Sequence, residues 1–167
     1  MTPNIVHSNL VMHVPKGDSV FGFEKPEHSL GFLLWRIIID WQRCIKKALE
    51  PRGITHVQFV IMAVTMWLAE TKQATTQIAI IRQSALDKMT VSASLKKLVA
   101  YGLVKRNEHK QDTRAKVVSL TAKGKALISG LVPIIEAIDA EFFGVLDKNE
   151  QRSLLEVFNK LSSESAD

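Results

Sequence analysis

The chain has 167 residues, 46% hydrophobic and 23% charged, with a formal net charge of +5. This is enough for one soluble domain with its own core, and nothing in the composition suggests disorder. A single cysteine, Cys44, excludes an intrachain disulfide framework and fits a reducing cytoplasm. The longest apolar run, Leu30 to Ile39, is broken by Arg36 and falls far short of a membrane span. No basic segment followed by an apolar stretch opens the chain, so export is not expected.

Residues 1–28 hold Pro3, Pro15, Pro26, Gly17 and Gly22 without sustained periodicity and read as an extended arm. A helix is expected from Ser29, its cap, to Leu49, with Pro51 closing it and Gly53 beyond. Its apolar residues, among them Phe32, Trp35, Ile38 and Trp41, cover more than one side. Either a second copy of the chain covers the excess or the helix is central to a monomeric core. Thr55 and Gln58 are spaced as a capping box for a helix to about Glu70, which presents Phe59, Met62, Met66 and Trp67. Thr75 or Thr76 caps the next helix.

From Lys88 to Ala100 the apolar residues Val91, Leu95, Leu98 and Val99 recur at helical spacing, with Asp87 as N-cap and Gly102 just past the end. The opposite side carries Met89, Thr90, Ala93, Lys96, Lys97 and Ala100, side chains that are small, flexible or basic. Leu103 to Arg106 and Ala115 to Leu120 read as strands flanking a polar tip, Asn107 to Arg114. Thr121 caps a long helix running to about Val145, with Pro133 inside it and expected to kink it. Asp147 and Glu150 form a second capping box, opening a last helix that shows Leu154, Leu155, Phe158 and Leu161.

The fold class is therefore mainly α with a small β-hairpin wing: a winged helix-turn-helix between N- and C-terminal helices. In that geometry one helix enters a major groove and the wing reaches the neighbouring minor groove. The charge map agrees. From Thr75 to Lys125 there are 11 Lys and Arg against 3 Asp and Glu, while from Ala126 to Asp167 there are 3 against 8. The basic charge is concentrated where phosphate counterions would be displaced.

Asp87-Lys88-Met89-Thr90-Val91-Ser92, the exit Tyr101-Gly102-Leu103-Val104, and a wing ending Asp112-Thr113-Arg114 then Leu120-Thr121-Ala122-Lys123-Gly124 resemble the MarR family of bacterial transcription regulators. The Asp and Arg two apart, followed by Leu-Thr-x-x-Gly, are the specific part. Gly53-Ile54-Thr55 with Gln58 also resembles the family. The family commonly has an apolar residue and Gly before the recognition helix, where this chain has Ser84 and Ala85.

The resemblance implies a homodimeric DNA-binding regulator, a repressor by expectation, with residues 1–28 as arm, 29–54 as dimerisation helix, 55–125 as DNA-binding lobe and 126–167 as C-terminal dimerisation helices. The expected target is a pseudo-palindrome of about 16 to 20 base pairs with half-sites one turn apart. Thr90 is expected at a base edge, Met89 and Ala93 in apolar contact such as with a thymine methyl, and Lys97 on guanine or phosphate. Lys88 and Ser92 flank them on phosphate. On the wing, Arg114 is assigned to the minor groove with Asp112 bracing it, the alternative being a hairpin salt bridge. Lys105, Arg106, Lys110 and Lys116 add sequence-independent attraction.

The resemblance further implies a small aromatic effector that shifts the spacing of the recognition helices. Trp35, Trp41, Phe59, Met62, Met66 and Trp67 are the candidates for its pocket, although such residues are more often plain core. Cys44 fits either a redox switch, as in some relatives, or a small core residue. His7, His13, His28, His56 and His109 are scattered, so no metal is expected, and no nucleophile, phosphate loop or carboxylate pair suggests an enzyme or a cofactor. The competing reading is a winged-helix protein-interaction module that never touches a base, which the charge map disfavours.

Overall fold

The computed structural model describes residues 20–108 and 116–164. The described residues fall into two units, divided after Gln42. The elements follow in the order α1 (Leu30–Leu49), α2 (His56–Glu70), α3 (Gln77–Ser84), α4 (Lys88–Ala100), β1 (Val104–Glu108), β2 (Lys116–Leu120), α5 (Ala122–Phe143) and α6 (Lys148–Glu164). The arm's residues 1–19 and the wing-tip residues 109–115, with Lys110, Asp112 and Arg114, lie outside the described residues.

The expected caps account for the helix starts. Ser29 Oγ accepts the Phe32 amide at 3.3 Å. The Thr55 hydroxyl accepts the Gln58 amide while the Gln58 side chain accepts the Thr55 amide, a reciprocal box. Thr76, rather than Thr75, caps α3 by accepting the Ala79 amide at 3.1 Å. Asp147 and Glu150 pair as the spacing requires, each side chain accepting the other's amide. Helix α5 continues through Pro133 and ends at Phe143, two residues short of the expected limit.

In the unit from Arg43 onward, α2 is the central element, packed against α3, α4, α5 and β2. Ile61 and Met62 of α2, Ile80 of α3, Leu95 and Leu98 of α4, Val118 of β2 and Ile128 of α5 are sealed from solvent. Fully burying each such aliphatic side chain contributes roughly 1.5–3 kcal/mol, and this core fixes the orientation of α4. In the N-terminal unit, Arg36 pairs with Glu27 at 3.7 Å and lies 5.9 Å from the Phe32 ring centre. Most of the apolar residues of α1 there remain exposed, with Leu30 at 74% and Trp35 at 58%.

Strands β1 and β2 pair antiparallel in the register Val104↔Leu120, Arg106↔Val118, Glu108↔Lys116. The first strand thus runs two residues further toward the tip than the sequence suggests. A third segment joins the hairpin: Thr76 bridges Val117, and the Val118 amide donates to the Thr75 carbonyl at 2.8 Å. The wing is therefore tied to the chain just before α3.

Candidate nucleic-acid interface

Helix α4 is a two-faced rod. Val91, Leu95 and Leu98 are fully buried against α2, α3 and β1. The expected fourth member of the stripe, Val99, is instead 40% exposed. It sits one residue past Leu98, and the 100° turn per residue carries it off the buried face. Met89, Ala93, Lys96, Lys97 and Ala100 form an outward row at spacings of four, three, one and three residues. Met89 is the most exposed of the large apolar side chains on this helix, at 77%. Of the expected DNA-contacting residues here, Lys88, Met89, Ala93 and Lys97 are exposed, whereas Thr90 and Ser92 are half-buried.

The start of α4 is held by its cap. The Asp87 carboxylate accepts the Thr90 amide at 2.8 Å. The Thr90 side chain beside it, and then the backbone amides of the turn, hold the Asp87 carboxyl below its ordinary range, so the cap is ionised at neutral pH. Thr90 is half-buried beside the cap, whereas Met89, Ala93 and Lys97 are exposed. Before the cap, Ala85 takes a left-handed backbone conformation, φ 54°, where the resembled family commonly has Gly.

The exit of α4 and the start of α5 are fastened together by the Leu-Thr-x-x-Gly segment. The Thr121 hydroxyl donates to the Gly102 carbonyl at 2.7 Å and accepts the Gly124 amide at 3.0 Å. The Thr121 amide donates to the Leu103 carbonyl, and Lys123 Nζ to the Tyr101 carbonyl at 3.1 Å. Gly124 passes so near this carbonyl that a Cβ there would overlap the Leu103 oxygen. Thr121 and Gly124 of the motif thus each have a geometric reason.

On the wing, Lys105 and Asn107 point to solvent, while Val104 is buried and Arg106 half-buried. Arg106 Nη2 donates to Gln77 Oε1 of α3 at 2.9 Å. This corrects the grouping of Arg106 with Lys105 as an equivalent phosphate attractor, because consecutive strand residues face opposite sides. Gln77 has no motif signal of its own. The alternation over Val104 to Asn107 is the signal that places Arg106 inward.

The six expected pocket residues are divided between the two units, Trp35 and Trp41 in the first and the other four in the second. Phe59 and Met62 are core, and Trp67 is 45% exposed on the same helix. Met66 lines a cleft of about 320 Å³ with Ala69, Glu70, Val118, Leu120 and Lys125. In the N-terminal unit Trp35 is exposed and Trp41 half-buried. Cys44 is exposed, which removes its reading as a core residue. Among the described residues no three His, Cys, Asp or Glu side chains gather as metal ligands, and no single helix is long and apolar enough to cross a membrane.

Comparison with known proteins agrees with this geometry. A family model described as an ArnR1-like winged-helix domain matches residues 50–138. An uncharacterized HTH-type transcriptional regulator of Bacillus subtilis, YdcH, is 35% identical over 128 residues, which span 77% of this chain and 87% of that protein. The structure of Bordetella bronchiseptica BpsR, described with regulation of its DNA binding by 6-hydroxynicotinic acid, superposes with a TM-score of 0.72 at 25% identity, covering 80% of this chain and 93% of BpsR. A mutant MarR of Escherichia coli complexed with operator DNA superposes with a TM-score of 0.71 at 23% identity, covering 79% and 92%. That last likeness is one of fold.

Proposed function

The chain belongs to the MarR family of winged helix-turn-helix transcriptional regulators, and from this premise we propose that it represses transcription as a homodimer on a pseudo-palindromic operator. It is a DNA-binding regulator, as its relatives are named. The observation that carries the finer reading is the two-faced α4: three side chains fully buried underneath, and a row of Met89, Ala93, Lys96 and Lys97 left facing out from a capped, anchored helix. Such a helix presents side chains to a groove without paying to order itself on binding.

Thr90 hydrogen-bonds a base edge, Met89 and Ala93 supply apolar contact, Lys97 supplies guanine or phosphate contact, and Lys88 and Ser92 flank the backbone. Arg114, braced by Asp112, is assigned to the minor groove. Two copies related by a two-fold place their recognition helices about 34 Å apart. A small aromatic effector that binds one spacing of the two lobes better than the other would release the operator. Regulation of BpsR by 6-hydroxynicotinic acid lends support to that last step.

The test is selection of bound duplexes from random DNA by the purified chain at two salt concentrations. A palindrome with half-sites one turn apart is the expected product. Binding without a consensus and with a steep salt slope would leave only electrostatic attraction and reject the operator reading. Ala93→Arg is expected to change the selected half-site, whereas Arg114→Ala lowers affinity at every sequence.

A further inference from the structure

Arg106 leaves the inner side of β1 and ends on the first residue of α3. Its register partner is Val118, whose amide bonds the Thr75 carbonyl, so β1, β2 and residues 75–76 lie side by side. The Arg106 side chain therefore passes over β2 to reach Gln77 Oε1 at 2.9 Å. Gln77 itself is fixed, because it follows the Thr76 cap that opens α3. Arg106 Nε is buried and finds no acceptor among the described residues. A half-buried guanidinium held, among the described residues, by one neutral acceptor is a poor way to gain stability. It is a good way to fix an angle, because the planar fork allows few orientations. Lys105, next along the strand, faces outward and is the cation placed to attract phosphate.

We propose that Arg106 and Gln77 are positioning residues for DNA binding: their hydrogen bond sets the wing relative to the α3–α4 pair, so that wing and recognition helix reach their grooves together. The proposal rests on the reading of α4 and the wing as the DNA-binding surface. Its physical basis is preorganisation, since a wing free to swing would lose affinity in being ordered on the duplex. The neutral partner makes the proposal separable from simple electrostatics.

The test uses the full chain and the duplex it selects from random DNA. Gln77→Ala removes the acceptor without changing any charge and weakens binding about 5–10-fold at fixed salt. Gln77→Glu keeps an acceptor for the guanidinium and recovers affinity to within about twofold of the wild type, despite an added negative charge. Were Arg106 a phosphate contact, Gln77→Glu would bind more weakly than Gln77→Ala, because the carboxylate would hold the guanidinium back and repel the DNA.

That ranking, or a Gln77→Ala affinity equal to wild type, overturns the proposal. In the second case an Arg106→Ala loss with the salt slope reduced by about 1 identifies a phosphate contact. Urea unfolding of each variant confirms that folded protein is compared, and Gln77→Glu against wild type decides if Gln77→Ala does not fold. A wild-type chain that selects no sequence defeats the operator reading itself. That failure is seen before any variant is made, and the proposal falls with it.

Discussion

Gly124 and Ala85 show opposite mismatches between side chain and backbone. At Gly124 the first turn of α5 passes against the Leu103 carbonyl, and an added methyl must displace backbone on one side or the other. Gly124→Ala is expected to lower the unfolding free energy by about 1–3 kcal/mol, the usual cost of overpacking a fixed site. At Ala85 the backbone already occupies the left-handed region, φ 54°, with a Cβ that disfavours it. Ala85→Gly relieves that strain but adds freedom to the unfolded chain, and the balance is a gain of about 0.5–1 kcal/mol. Urea denaturation measures both, and a Gly124→Ala midpoint equal to wild type would contradict the close approach. Arg106 and Lys105 teach a related lesson at this scale. The sequence shows two adjacent cations, and only the pleat of the strand separates one that braces from one that faces solvent.

Helix existence and boundaries were legible because each helix carries its own start signal. Thr55 with Gln58, Thr76, Asp87, Thr121 and Asp147 with Glu150 all make the hydrogen bonds their spacing implies. What periodicity could not show is pairing between distant segments. The bridge from Thr75–Thr76 to β2 joins residues about 40 apart in the chain and the Arg106–Gln77 bond residues 29 apart, and neither has a local pattern. The outward row of α4 was legible for the same local reason as its caps, except that Thr90 is half-buried and Val99 is turned outward.

Helix α2 also carries a pH response. His56, its first residue, is half-buried, and this desolvation lowers its pKa from 6.5, against the opposing pull of Asp139 on α5. The folded state then binds fewer protons than the unfolded chain just below pH 6.5. The stability is complete above that pH and is lost as pH falls through the lowered folded value. The urea midpoint of the wild type should fall between pH 7.5 and 5.5, and His56→Gln should flatten that fall. An unchanged slope in the variant would assign the pH dependence elsewhere.

At the scale of the molecule, the apolar surface left uncovered bears on assembly. Leu30, Leu34, Trp35, Ile37, Ile38 and Ile39 of α1 are each more than a third exposed, as are Leu155, Val157 and Phe158 of α6. A soluble monomer rarely leaves so much apolar helix surface uncovered. The charge division points the same way, since residues 126–167 are net acidic and ill-suited to phosphate, whereas the basic segment lies within residues 75–125. A second copy covering these helices would bury the apolar faces and present two recognition helices at once. The chain is then expected to sediment as a dimer, with a melting temperature that rises with protein concentration. Trp35→Glu and Leu155→Glu place a charge on the two exposed faces and should shift the chain toward monomer. Because the second half-site is bound at a high effective concentration only when the copies are linked, operator affinity should fall by at least about 100-fold in a monomeric variant. A variant that is monomeric by sedimentation yet binds the full operator as wild type does would show that each copy reads DNA alone. The two-fold operator reading would then be withdrawn.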